Sequence, residues 1–170
     1  MIRCALFAAL LTLCGWISIP VGDIAVTLQT FGVFLTLGLL GGRWGTAAVG
    51  VYLVMGAAGL PVFSGFRGGL GVLLGASGGY LWGFLLIGLA YWLITFLFRG
   101  RGGLWGCIFG LLLCYTAGTL WFCLMYLEGN GLSVGAVLAK CVLPYLLPDG
   151  IKLWLARLLT KRMRGFTESV

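Results

Sequence analysis

Two ionisable side chains lie inside an apolar stretch of the C-terminal part of the chain. In Leu147-Pro148-Asp149-Gly150-Ile151-Lys152, a carboxylate and an ammonium stand at i and i+3. In a helix that spacing leaves them about 60° apart on one face and about one turn apart in height. Near the centre of a membrane helix each would cost roughly 2.5 to 3.5 kcal/mol facing lipid, so both are expected to point inward. Pro148 suits a first helical position, and Asp149 would then lie in the first turn, where the helix dipole favours a carboxylate. An inward acceptor beside an inward donor suits a small polar solute that carries N–H groups together with a carbonyl or carboxylate. The same pair could instead be a structural ion pair that fixes helix packing.

The elements that must position this pair are membrane helices. The 170 residues are 61% hydrophobic and 9% charged, which excludes an ordinary soluble domain. Several separate apolar runs mark a polytopic helical protein, because lipid requires each segment to satisfy its own backbone groups. The alternation expected of β-barrel strands does not occur. The whole chain, 1–170, reads as a single all-α transmembrane domain. It is expected to be a bundle of six transmembrane helices with a Gly-rich re-entrant outer loop between the third and the fourth.

Proline and glycine punctuate the runs. The first helix is expected over Cys4–Ile19, ending before Pro20 and a turn at Val21-Gly22-Asp23. The second covers Val26–Leu40 and stops at Gly41-Gly42-Arg43; the third covers Gly45–Leu60. Pro61 to Gly79 is too Gly-rich for a good helix and too apolar for a solvated loop, and is expected to fold back over the bundle. The fourth helix is Tyr80–Phe98 and the fifth Leu104–Leu127, followed by a turn at Glu128-Gly129-Asn130-Gly131. An amphipathic piece, Ser133–Val142, leads through Pro144 into the sixth, Leu146–Leu159, and then a basic tail, Lys161-Arg162-Met163-Arg164. Arg3 and the apolar run after it could pass for a signal peptide, but no A-x-A cleavage site follows, so the run is kept as the first helix.

The net charge of +7 does not form a nucleic-acid-binding stripe, because the basic residues lie between apolar runs or in the C-terminal tail. They orient the chain instead. With the N-terminus inside, the inner segments hold Arg3, Arg43, Arg99, Arg101, Arg157, Lys161, Arg162 and Arg164, against Arg67 and Lys140 outside. Basic residues concentrate on the cytoplasmic side of membrane proteins, so both termini are placed in the cytoplasm of a plasma-membrane protein. Asp149 and Lys152 then face the external side, beside the Gly-rich segment. A cavity is expected there, lined by Asp149, Lys152, the Gly75-Ala76-Ser77-Gly78-Gly79-Tyr80 corner and Gln29.

Other features are weaker. Tyr115, Thr119, Phe122 and Tyr126 share one face of the fifth helix; Tyr115 and Thr119 are taken as pocket liners, although such a stripe also suits a core. Ala5 and Ala9 form a small-xxx-small pair that lets another helix approach, either within this chain or in a partner. Cys4, Cys14, Cys107, Cys114, Cys123 and Cys141 show no metal-ligand spacing and there is no histidine, so they read as small buried hydrophobes and no metal or cofactor is expected. No nucleophile–base pair, Ser-centred elbow or pair of acids appears, so an enzyme is not expected.

Taken together, Val26-Thr27-Leu28-Gln29-Thr30-Phe31-Gly32, Gly59-Leu60-Pro61-Val62-Phe63, Gly68-Gly69-Leu70-Gly71-Val72-Leu73-Leu74-Gly75, Gly78-Gly79-Tyr80-Leu81, Gly118-Thr119-Leu120-Trp121 and Leu146 to Lys152 resemble the BioY family. These are the substrate-binding S components of energy-coupling-factor biotin transporters, and the resemblance covers most of the chain in order. It implies a six-helix membrane protein that captures biotin from outside and works with a transmembrane coupling protein and two cytoplasmic ATPases. Asp149 and Lys152 then match the family's acid and base, facing the ureido ring or, for Lys152, the carboxylate; Ser77 stands at the polar position before Gly-Gly-Tyr. The Ala5/Ala9 pair resembles the surface that meets the coupling protein. One departure is that the family's usual Pro-Gly-Asp order reads Pro148-Asp149-Gly150. Should the family acid belong at position 150, Asp149 would sit about 100° away from it. The remaining alternative is a membrane scaffold or assembly protein in which the charged pair only fixes packing.

Overall fold

A computed structural model describes residues 2–19, 26–100, 102–130 and 142–167. Helix α1 is Ile2–Trp16, α2 is Gln29–Ala57, α3 the single turn Leu70–Leu73, α4 Gly78–Leu97, α5 Gly103–Asn130 and α6 Leu143–Thr167. Two short strands, β1 (Ser18–Ile19) and β2 (Val26–Thr27), pair antiparallel with Ser18 opposite Thr27. The turn expected at Val21-Gly22-Asp23 and the amphipathic piece at 133–141 lie outside the described residues.

Helix α2 is two helices. Gly41 takes φ 77° and ψ 176°, a backbone region open to glycine and closed to side chains, and the chain reverses there. The reversal brings the two ends of α2 together: Gln29 Nε2 donates to the hydroxyl of Tyr52, whose own proton goes to the Val62 carbonyl at 3.1 Å. The expected second and third helices are therefore both present, joined at the Gly-Gly turn. With α1, α4, α5 and α6 they complete a six-helix bundle in which α2 packs on α1, α4 and α6, and α4 packs on α5.

Helices Gln29–Ala57, Gly78–Leu97 and Gly103–Met125 are long and apolar enough to cross a membrane, and Ile2–Trp16 is a shorter apolar helix. The outer faces carry large exposed apolar side chains such as Leu6, Leu93, Phe96, Leu120 and Leu124, which lipid rather than water would cover. Among the described residues no buried side-chain nitrogen or oxygen lacks a partner. Thr12, Thr36, Thr46 and Thr160 each donate to the carbonyl four residues back, which removes the cost of a hydroxyl in an apolar bundle.

Several expected boundaries shift. Ile17 to Ile19 leave the first helix because Ser18 and Ile19 pair with β2, which likewise takes Val26 and Thr27 out of the second. Helix α5 continues through Glu128, Gly129 and Asn130, and α6 starts three residues early and runs through the basic tail. Pro144, at the second position of α6, takes the helix-start role expected of Pro148. Pro148 and Asp149 consequently fall in the second turn, and the first turn holds no acid. The dipole, whose effect fades within one turn, is not what stabilises this carboxylate.

Candidate functional site

Between α2 and α4 the Gly-rich segment makes a tight hairpin. The Phe63 amide donates to the Arg67 carbonyl at 2.9 Å, and the turn takes positive φ at Gly65 (71°) and Phe66 (56°). Phe63 is buried and meets Tyr52 edge-on, with ring centroids 5.5 Å apart. Phe66 lies against Trp16 at 5.0 Å, and the Trp16 indole donates to the Pro61 carbonyl at 2.8 Å. One aromatic anchor inside and one outside thus fix the hairpin over the ends of α1 and α2. It folds back over the bundle as the composition implied.

Under it lies a cavity of about 320 Å³, at the lower end of the range for small-ligand pockets. Its floor is Asp149 and Lys152, only 3% and 8% exposed. Lys152 Nζ donates to Asp149 Oδ1 at 2.7 Å and to Thr30 Oγ1 at 3.1 Å. Thr30 in turn donates to Asp149 Oδ1 at 2.8 Å, and the Tyr115 hydroxyl donates to Oδ2 at 2.6 Å. Three helices, α2, α5 and α6, therefore converge on one carboxylate. A carboxylate offers about four lone-pair sites and an ammonium three protons. Three of those acceptor sites and two of those protons are engaged here, so the floor retains one acceptor and one donor side by side.

Of the residues singled out from sequence, Asp149, Lys152, Gly75, Ala76, Ser77, Tyr80, Gln29 and Tyr115 line this cavity. Asp149 does so despite the Pro-Asp-Gly order, while Gly150 is exposed. Gly78, Gly79 and Thr119 are not among its lining residues. Gly79 is buried where α4 crosses α5, so tightly that a Cβ there would overlap Trp121. Thr119 is buried beside it, with its Oγ1 3.5 Å from the Tyr80 hydroxyl. Ala5 and Ala9 lie on the exposed face of α1, whereas Ala8 is fully buried. Four of the five described cysteines are buried, and Cys114 lines the cavity.

Thr30, Tyr145, Ser64 and Arg67 also line the cavity and were not singled out. Tyr145 carried a signal, since Tyr145, Asp149 and Lys152 fall at i, i+4 and i+7 on one helical face. Thr30 sits beside Gln29 at the head of an apolar helix, but only the fold shows that it bridges acid and base. Thr30→Val, nearly isosteric, removes a donor from the buried carboxylate and an acceptor from the ammonium. Thermal unfolding in detergent should register a loss of about 1.5 to 3 kcal/mol, with Thr30→Ser close to the parent; an unchanged Val variant would refute the bridging role.

Fold and site together define a helical membrane protein with a buried acid–base floor in a cavity beneath a hairpin. The chain is a member of the BioY family, whose model matches residues 1–168. The probable biotin transporter BioY of Pyrococcus horikoshii is 34% identical over 166 residues, covering 96% of this chain and 94% of that one. The biotin transporter BioY of Thermotoga maritima is 51% identical over 86 residues, a match that spans 51% of each chain. Among solved structures, the S-component for biotin from an ECF-type ABC transporter superposes with a TM-score of 0.84 at 26% identity, covering 96% of this chain and 89% of that one.

Proposed function

We propose that this chain is the biotin-binding S component of an energy-coupling-factor uptake transporter. It sits in the cell membrane with both termini in the cytoplasm and takes biotin from outside. The observation that carries the reading is the floor of the cavity. A ureido ring has N–H donors flanking a carbonyl, the complement of one free carboxylate lone pair beside one free ammonium proton. The thiophane ring meets the apolar wall formed by Phe84, Leu111 and Cys114. The charge asymmetry of the loops supports the orientation, and the exposed Ala5/Ala9 face of α1 supports docking of a transmembrane coupling protein driven by two cytoplasmic ATPases. Biotin is cargo: it leaves unchanged, and no catalysis or cofactor is called for.

Isothermal titration of the detergent-purified chain with biotin, desthiobiotin and a ureido-modified analogue tests this. Biotin should bind one-to-one. Desthiobiotin, which keeps the ureido ring, should bind more weakly by a modest factor, and replacing the ureido oxygen should cost at least about tenfold because buried polar groups are left unpaired. No heat and no thermal stabilisation from folded, biotin-free protein would instead favour a scaffold whose ion pair serves packing alone.

A further inference from the structure

The cavity lining does not balance its charge. Lys152 is neutralised by Asp149 at 2.7 Å, the one salt bridge among the described residues. Arg67 also lines the cavity, from the hairpin, and no acid lies within ion-pair distance of it among the described residues. Among the described residues the lining therefore keeps one positive charge. It lies away from the floor: Asp149 and Lys152 are buried, Ser64 is half-buried and Arg67 is exposed, so the cavity runs from an ion-paired floor to a cationic rim.

The arginine is also held in place. Its carbonyl accepts from the Phe63 amide at 2.9 Å, and its Nε donates to the Ser64 carbonyl at 3.2 Å. The neighbouring Phe66 lies tilted against Trp16, with ring centroids 5.0 Å apart. With Nε committed, the four N–H groups on the two Nη atoms remain, in the planar fork that matches a carboxylate.

We propose that Arg67 captures the carboxylate of the ligand's tail, making the site selective for a free acid whose uncharged head occupies the Asp149–Lys152 floor. This rests on the reading of biotin as the ligand. It assigns the two cations different roles, Lys152 to the head group and Arg67 to the anionic tail. A freely exposed ion pair contributes only about 0 to 1 kcal/mol. A held fork at a cavity rim should exceed that, because paired charge-assisted hydrogen bonds are stronger and their geometry is set in advance.

The test compares biotin with biotin methyl ester, which has a neutral tail and the same head, on the parent chain, Arg67→Gln and Arg67→Lys. The parent should prefer the acid by about tenfold, or about 1.4 kcal/mol. Arg67→Gln should bring the ratio near one by weakening the acid while sparing the ester, at an unchanged melting temperature. Arg67→Lys should keep part of the preference, since the charge survives and the fork does not. Raising salt should weaken the acid more than the ester in the parent and, less strongly, in Arg67→Lys, and should not do so in Arg67→Gln. A parent without preference, or an Arg67→Gln variant that keeps it, would overturn the assignment and return the carboxylate to Lys152. A parent that binds neither compound would overturn the biotin reading itself, and the assignment with it.

Discussion

Lys152→Ala should abolish measurable biotin binding and lower stability by about 3 to 5 kcal/mol, because it strands a buried carboxylate without its cation. Asp149 would keep only the Thr30 and Tyr115 hydroxyls, at 2.8 and 2.6 Å, neither of which brings a positive charge. Binding and packing are separable by removing both charges. Replacing a buried pair with apolar groups of similar volume is often neutral or stabilising, so Asp149→Leu together with Lys152→Met should unfold closer to the parent temperature than Lys152→Ala does, the remaining loss coming from the Thr30 and Tyr115 hydroxyls left without their acceptor. That double variant should still fail to bind biotin, having lost both the acceptor and the donor. Thermal unfolding and titration of the two variants decide the matter. A double variant that binds biotin as the parent does would show that the pair is structural and that the ligand sits elsewhere.

The second large effect comes from helix packing. Gly79→Val should lower stability by more than about 4 kcal/mol, in the range reserved for core overpacking. A Cβ at that position runs into the Trp121 side chain and comes within 3.1 Å of the Gly118 Cα, both on α5, and backbone cannot yield as a flexible side chain can. Gly118 mirrors it, with a Cβ there entering the Tyr80 ring, and Gly83 meets Cys114 one turn further along. Close backbone approach through small residues drives association where lipid offers no hydrophobic force. The damage should reach the site, since the Trp121 indole donates at 3.0 Å to the Gly75 carbonyl, and Gly75 lines the cavity. Biotin affinity should therefore fall even under conditions where the Gly79 variant remains folded. Gly50→Ala is the control: nothing lies within 4 Å of its added Cβ, and alanine favours a helix. If melting temperature and biotin affinity were the same in both variants, the crossing would not be what sets this part of the cavity.

The bundle was legible because its signals are local. Apolar runs, Pro61 and the Gly41-Gly42 pair act through backbone rules that hold whatever the chain packs against, and they located six helices. The Asp149/Lys152 pair was legible for the same reason: i, i+3 spacing on a helix fixes a shared face before any neighbour is known. Helix ends were less legible, because Ser18 and Ile19 left the first helix to pair with Val26 and Thr27, partners the local pattern does not reveal.

What the family resemblance and the polar residues left undecided was which way each helix turns about its axis and what meets it across the bundle. Gly79 and Thr119 have the residue types of a pocket yet serve the α4–α5 crossing, because the close approach of Gly79 to Gly118 turns that face inward against α5. Thr30 and Arg67 looked like ordinary polar residues beside better candidates. Their roles depend on contacts spanning 119 residues in one case, from Thr30 to Asp149, and on a five-residue hairpin with two positive-φ positions in the other. The sequence by itself determined that this is a helical membrane protein with a charged pair directed inward, since spacing and the cost of burying charge in lipid suffice for that. Only the tertiary structure decided that three helices share one carboxylate and that an arginine joins the cavity at its rim, because side chains far apart in sequence meet only when packing sets the rotation of each helix.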